Sequence, residues 1–406
     1  MVHMPLLSII IPAYNNSRYL SECVRSVLSQ DFRDIEVIIV DDDSTDDTPA
    51  VINALALSDS RVRAVRHSTN QGTLAARATG VEQSHGTYAM FIDQDDALRA
   101  ETLSRLIQAS ESDTADIYHF GVQVEAANPV AEQASAGMTA FLTPQPRTIR
   151  GEAILQTQFA ESQGFDWHLH HKMFRANLLR SAYHAAAHTR LLLSDDLYMN
   201  FIIDSLADCY VALPKSPWYI YHLGRGDTLG ATLTVPALHK IALRDAKALR
   251  LVRQFAEGPY APNRGDWNNR IADVRNRLIE HTMNEWNDNL PGPEQQNGLH
   301  DILSIWEPDA VCGELYRYVR DAAYAYLQQV NISSPIALNH RLMALEYLHM
   351  AQDTELRFSS SHSSNLRYRE MKDIAEQHLR DSGLFKNTAG QRKCSLPHWM
   401  RSLFSK

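Results

Sequence analysis

Four apolar runs, "LLSIII" at residues 6–11, "IEVIIV" at 35–40, "VRAVRH" at 62–67 and "YAMFI" at 88–92, alternate with three segments of helical spacing. The runs are nearly continuous in apolar residues, the pattern of strands covered on both faces. Between them stand "SRYLSECVRSVLSQ", with Leu20, Val24, Val27 and Leu28 at helical spacing, then "STDDTPAVINALAL" and "TLAARATGVEQS". Ser17 reads as the N-cap of the first helix. The acids that open the second stand where a helix N-terminus favours negative charge. A β-α-β-α-β-α-β order admits few architectures. It predicts an α/β domain with a doubly wound, mostly parallel sheet.

Ligands of such sheets bind beyond the carboxyl ends of the strands. Two acidic clusters fall there: Asp41, Asp42 and Asp43 after the second run, and Asp93, Asp95 and Asp96 after the fourth. Along an extended backbone, Asp93 and Asp95 leave on one side and Gln94 on the other. Asp96 then serves only to shape the turn. No Lys or Arg stands beside these acids, so their repulsion asks for a cation. Hard carboxylate oxygens suit Mg²⁺ or Mn²⁺, which in turn hold phosphates. A solvated acidic loop gives the same letters; the second cluster favours the site.

The remaining chain is less regular. Residues 126–147 are small, polar and Pro-bearing and read as an exposed loop. "LLLSDDLYMNFIIDSLA" reads as a helix entered through Asp195 and Asp196, and "CYVALPKSPWYIYHLG" as edge strands broken by prolines. In "WHLHHKMF", His168 and His171 have the i, i+3 spacing of a zinc pair, but no third ligand is evident beside them. Beyond about residue 235 the pattern is helical. The expected division is an α/β domain over 1–235, with a ligand half at 1–125 and a second half at 150–235. A helical domain of unassigned role follows over 236–406.

Several classes are excluded or set aside. A net charge of -9 argues against a general nucleic-acid binder. The cysteines Cys23, Cys209, Cys312 and Cys394 are too far apart for a CxxC metal site or a disulfide framework, which fits a reducing, cytoplasmic location. The opening residues lack the basic region of a secretory signal. No uninterrupted apolar stretch has the length of a membrane span. The tail "FKNTAGQRKCSLPHWMRSLFSK" is basic, with Trp399, Leu403 and Phe404 among Arg401 and Lys406. It reads either as a peripheral contact with the inner face of a membrane or as a docked or frayed end.

The motifs "SIIIPAYNNSRYLSECVRSVLSQ", "EVIIVDDDSTDDT", "NQGTLAARATG" and "GTYAMFIDQDD" resemble, in order, the landmarks of family 2 glycosyltransferases of the Rossmann-like GT-A fold, in the bacterial type with a helical C-terminal extension. The likeness is strong over residues 6–110 and looser to about 230, through "LSDDLYMNF" and "PWYIYHLGRGDTL". "DDDS" departs from the family, which usually has Gly after the two acids; Asp43 can take the left-handed turn this position needs.

The resemblance implies an inverting, metal-dependent transfer from a UDP-sugar to an acceptor hydroxyl. Pro12, Ala13, Tyr14 and Asn15 match the loop lining the nucleoside pocket. Asp41 and Asp42 match the acids that recognise the base, one accepting from uracil N3–H. Arg77 matches a basic residue near the nucleotide. Asp93, Gln94 and Asp95 match the DxD motif, with Asp95, and Asp93 beside it, on Mn²⁺ or Mg²⁺. Asp196 matches the catalytic base, with Asp195 in reserve; helix capping is the competing explanation. Trp167 and His168 match a pocket wall. His222 and Arg225 match a loop that closes over the diphosphate. Implied acceptors are a glycan, a lipid-linked saccharide or a glycoprotein, and the C-terminal helices are open to acceptor binding or a homodimer. Two other readings are a GT-A scaffold without turnover and a receiver-like signalling domain. The latter needs a strand-end lysine that the first ~125 residues do not show.

Overall fold

The computed structural model describes residues 4–112, 114–160, 166–191, 194–226, 232–263, 266–359 and 363–384. The chain forms two compact units. Residues up to Thr232 group with Leu243–Arg277, and Leu233–Ala242 group with residues from Leu278 onward.

The first unit opens with β1 (Leu7–Ala13), α1 (Ser17–Leu28), β2 (Ile35–Asp41), α2 (Thr48–Ser58), β3 (Val62–Arg66), α3 (Thr73–Glu82) and β4 (Tyr88–Phe91). The expected alternation is therefore present. β1, β2 and β4 are buried along their whole length, which is why their sequences do not alternate. The first helix is capped by Asn16, whose Oδ1 accepts from Tyr19 N at 3.4 Å, one residue before the expected Ser17.

The chain continues through β5 (Ala97–Leu98), α4 (Thr102–Ser112), β6 (Ile117–Ala126), α5 (Pro129–Leu142), β7 (Thr148–Arg150), α6 (Glu152–Ala160), β8 (Lys172–Arg175), α7 (Ala176–Ala185), α8 (Asp195–Leu206) and β9 (Cys209–Leu223). The sheet order is β3-β2-β1-β4-β8-β6-β9-β5, with β7 also on β9. β1, β2, β3 and β4 pair in parallel, β6 is parallel to β9, and β8 enters antiparallel between β4 and β6.

Two sequence readings are corrected here. Residues 129–142 form α5 rather than a loop. Asn128 Oδ1 caps it by accepting from Ala131 N at 2.9 Å, and Pro129 occupies its first turn. The small residues taken as loop-like are largely alanines, the strongest helix formers. β9 is no edge strand either. It is flanked by β6 on one side and by β5 and β7 on the other. Its register against β6 shifts around Gly121, which pairs with Pro217, so a proline sits where the ladder is interrupted.

Residues of α9 (Val235–Ala256) and α10 (Trp267–Asn289) contribute to both units, and α11 (Gln295–Ile302), α12 (Pro308–Leu327), α13 (Pro335–Glu355) and α14 (Leu366–Asp381) belong to the second. There Glu314, 1% exposed, accepts from Arg317 Nε and Arg367 Nε, each at 2.6 Å. The paired guanidinium groups let one carboxylate sit inside the helical core. No helix among the described residues is long and apolar enough to cross a membrane. Cys23, Cys209 and Cys312 are buried; Cys394 and the tail after Leu384 lie outside the described residues.

Candidate active site

Parallel pairing in register brings the strand ends to one edge. Ala13 sits opposite Asp41, and Ile92 N donates to Ile10 O at 3.1 Å. Pro12 and Ala13 are buried in β1, while Tyr14 and Asn15 are exposed just beyond it. Asn15 and Asp43 both take left-handed conformations, φ 45° and 64°. Asp43 thus occupies the backbone position expected to favour glycine, and Asn15 is a residue that tolerates it. Asn15 Oδ1 accepts from Thr45 N at 2.8 Å, which joins the two loops.

The two acids at the end of β2 differ. Asp42 is fully engaged by its own chain: His67 Nδ1 at 2.7 Å, Gln71 N at 2.9 Å and Gly72 N at 2.7 Å. It fixes the entry to α3. Asp41 accepts from Ser44 N through Oδ1 at 3.0 Å. Its buried Oδ2 makes no hydrogen bond among the described residues and lies 3.4 Å from Arg66 Nε. Asp41 Oδ2 thus has an ion-pair partner but no hydrogen bond, whereas both Asp42 oxygens accept hydrogen bonds.

After β4 the backbone turns. Asp96 N donates to Asp93 O at 3.1 Å, so residues 93–96 are not extended, and the expected alternation of Asp93, Gln94 and Asp95 is replaced by a turn. Gln94 does not face away. Its Oε1 accepts from Tyr14 N at 2.8 Å and its Nε2 donates to Tyr14 O at 3.1 Å, joining the DxD turn to the first loop. Asp96 is buried and anchors the turn by accepting from Tyr219 OH and from His222 N, each at 2.8 Å.

The charge on this turn is balanced from within the chain, which linear sequence concealed. Arg77 is buried on α3, its guanidinium 5.6 Å from the Phe91 ring centroid. It donates to Asp93 Oδ1 at 3.0 Å, to Asp195 Oδ2 at 3.2 Å and to Asp196 Oδ1. A residue expected only near a nucleotide thus gathers the DxD turn and the α8 acid pair into one crevice. The acids still outnumber it. Burial, opposed by Arg77 and reinforced by Asp196 and Asp96, raises Asp93 to about 6. Burial and then Asp96 and Asp93 raise Asp95 to about 7. Burial and Asp196, opposed by Arg77, raise Asp195 to about 7.

Asp95 has no side-chain partner among the described residues. A crowded, electron-rich carboxylate of this kind fits a divalent cation with oxygen preference, with Asp93 beside it as a further ligand. Capping does not account for the acid pair on α8. Ser194 is the N-cap, but its hydroxyl donates to Asp245 Oδ1 at 2.6 Å and accepts from Arg244 Nε at 3.1 Å, not from a helix N–H. Asp195 is buried. Asp196 is more accessible, and its Oδ2 accepts from Leu169 N at 3.3 Å.

His222 and Arg225 reach the same edge. His222 Nε2 lies 3.6 Å from Glu125 Oε2 and 3.8 Å from Glu22 Oε1. Arg225 donates to Glu22 Oε2 at 3.1 Å and to Asp95 O at 3.2 Å, and lies 4.5 Å from the Tyr19 ring centroid. Glu22, Tyr19, Tyr219 and His67 were missed in the sequence because each partner stands far along the chain. Trp167 O accepts from Asn200 Nδ2, and His168 Nδ1 lies 2.7 Å from Asp166 Oδ1. The part of the closing loop at 227–231 lies outside the described residues.

The parallel sheet, the acidic turn after β4 and the inward acid pair of α8 define a GT-A type α/β domain with a helical extension. Residues 8–182 match the family model for glycosyl transferase family 2. The chain is similar to the uncharacterized glycosyltransferase EpsJ of Bacillus subtilis, 31% identical over 183 residues, which cover 44% of this chain and 50% of that protein. It is also similar to a Campylobacter jejuni protein named GalNAc(5)-diNAcBac-PP-undecaprenol beta-1,3-glucosyltransferase, 34% identical over 116 residues, which cover 28% of this chain and 38% of that protein. The chain thus spans half or less of the length of these two relatives. Among solved structures, S. aureus TarS 1–349 in complex with UDP-GlcNAc superposes with a TM-score of 0.54 at 15% identity, covering 86% of this chain and 91% of that one; the likeness is one of fold.

Proposed function

We propose that this chain transfers a sugar, with inversion, from a UDP-sugar to an acceptor hydroxyl. The observation that carries the proposal is the Arg77 bridge, which holds the DxD turn and the α8 acid pair on either side of one crevice. Asp41, whose Oδ2 is held only by the ion pair with Arg66 and makes no hydrogen bond, is assigned to the N–H of the uracil ring. Asp42 supports that loop from behind. Mn²⁺ or Mg²⁺ bound by Asp95, with Asp93, would neutralise charge on the departing diphosphate.

Asp196 is assigned as base, with Asp195 as its buried neighbour. It takes the proton of the acceptor hydroxyl while that oxygen bonds to the anomeric carbon and the bond to the diphosphate oxygen breaks. Arg77 orients Asp196 and Asp93. His222 and Arg225 are assigned to the diphosphate when the loop closes, which requires Arg225 to leave Glu22.

The acceptor is proposed to be a surface glycan or its lipid-linked precursor, by analogy with the named C. jejuni relative; a glycoprotein is a further candidate. Peripheral membrane contact through the tail, a cytoplasmic location and a homodimer remain part of the proposal. The test is UDP release from a panel of UDP-sugars with Mn²⁺, with and without EDTA. Release that needs both metal and acceptor supports the reading. Binding of UDP-sugar without any release across donors and acceptors would favour a scaffold.

A further inference from the structure

Below the acidic turn lies a second cluster of metal-ligating groups. His119 on β6, Asp166, and His171 just before β8 are 0–4% exposed. One ligand atom from each lies within 4.8 Å of the others. His119 Nε2 and His171 Nε2 stand 3.1 and 2.6 Å from Asp166 Oδ2. Yet none of these three atoms completes a hydrogen bond of acceptable geometry. The ring nitrogens do not aim at the oxygen they crowd. Three buried polar atoms brought together without a hydrogen bond is a costly arrangement unless a cation holds them, and a zinc ion with bonds of about 2.1 Å would need the closest pair to open to roughly 3.3 Å.

The opposite atoms of the same groups are all engaged. His119 Nδ1 meets Tyr210 OH at 2.6 Å, His171 Nδ1 meets His170 Nδ1 at 3.0 Å, and Asp166 Oδ1 accepts from His168 N at 2.9 Å. Metal-binding imidazoles are commonly oriented through their far nitrogen in this way. Lys172 Nζ is 3.6 Å from Asp166 Oδ2, but it donates to the carbonyls of Asp166 and His168 and to Asn200 Oδ1.

We propose that His119, Asp166 and His171 bind a divalent transition ion of the Zn²⁺ class, distinct from the ion assigned to Asp95. Two imidazoles and one carboxylate select such an ion over Mg²⁺, and leave a fourth position for water. Its role is positioning. Leu169 N, between these ligands in sequence, donates to Asp196 Oδ2 at 3.3 Å. The His170 ring stacks 4.5 Å from that of Tyr219, whose hydroxyl holds both Asp93 N and Asp96. The ion thus fixes the segment that supports both acidic elements. Only this role rests on the proposed transferase reading; the site itself does not.

The test is metal content of the purified full chain after chelator washing and zinc reloading. One zinc per chain is expected, retained in Asp95→Asn and lost in His119→Gln and Asp166→Asn. Tyr210→Phe should weaken zinc roughly 10-fold, because it frees His119 Nδ1. X-ray absorption at the zinc edge of the unmutated chain guards against variants that fail to fold: imidazole scattering supports the site. Below ~0.1 zinc per chain after reloading, oxygen-only coordination, or zinc lost with Asp95→Asn and kept in His119→Gln would overturn it. None of these readings depends on transfer, so an inactive chain that binds zinc here sinks the function and leaves the site standing.

Discussion

Arg77 Nη1 lies 3.2 Å from Asp195 Oδ2 while Arg77 Nη2 lies 3.0 Å from Asp93 Oδ1, so one buried guanidinium joins the end of β4 to the start of α8. Removing it strands three carboxylates in a recessed site. Arg77→Ala should destabilise the unit by about 3–5 kcal/mol at pH 7.5. Asp93 and Asp195 are already raised to about 6 and about 7, so acidification to pH 5.5 should neutralise them and recover much of the loss. Denaturant unfolding at the two pH values measures this. A loss independent of pH would mean that packing of the side chain, not charge, is what Arg77 supplies.

The two α8 acids should separate by function. Asp196→Asn should bind UDP within about 3-fold of the parent and lose turnover by roughly 10²–10⁴, the range of a removed general base. Asp195→Asn, at the buried position, should act mainly through Arg77 and lower stability and turnover together. Calorimetric UDP binding beside single-turnover transfer separates the cases. Turnover kept by Asp196→Asn and lost by Asp195→Asn would exchange their roles.

β1, β2 and β4 were legible because their burial on both faces writes itself into the sequence as nearly unbroken apolar runs, whereas the edge strand β3 alternates. α5 was misread because alanine looks small before it looks helical. The prolines of β9 hid its central place, since a register shift is a property of the pair of strands, not of one. Within the site, both acidic clusters were visible as letters. What they do was not. That Asp42 is fully engaged and Asp41 is not depends on His67, Gln71 and Gly72, which the fold delivers. Of His168 and His171, which have the spacing of a zinc pair, only His171 belongs to the cluster proposed above. His168 only supports Asp166, and His119 arrives from β6.

Gly80 tests how closely α3 must approach the sheet. A Cβ there would meet Ile10 Cγ2 at 2.2 Å, and Arg77 lies one turn earlier on the same helix. Gly80→Ala gains up to about 1 kcal/mol of helix propensity. Overpacking should outweigh it, for a net loss of roughly 1–2 kcal/mol. Gly80→Val should cost more and weaken UDP binding by displacing Arg77. In a double-mutant cycle with Ile10→Ala, which removes Cγ2, the losses should fall short of additive by at least ~0.5 kcal/mol. Strict additivity would show that α3 shifts without meeting Ile10.

Metal binding at the DxD turn should depend on pH in one direction. Asp95 at about 7 and Asp93 at about 6 are both raised, so the metal-free fold favours their neutral forms. Their contribution to stability is fully present below the ordinary carboxylate range and is lost as pH rises through 6 to 7. A divalent ion needs the ionised forms and offsets that loss. The thermal shift produced by Mn²⁺ should therefore be small near pH 5.5, grow steeply through neutrality and level off above about pH 8. Asp95→Asn should abolish the pH-dependent part and leave intact any shift that arises from zinc at His119 and His171. Equal Mn²⁺ shifts at pH 5.5 and 8 in the parent chain would show that the ion binds without displacing protons, and Asp95 could not then be its principal ligand.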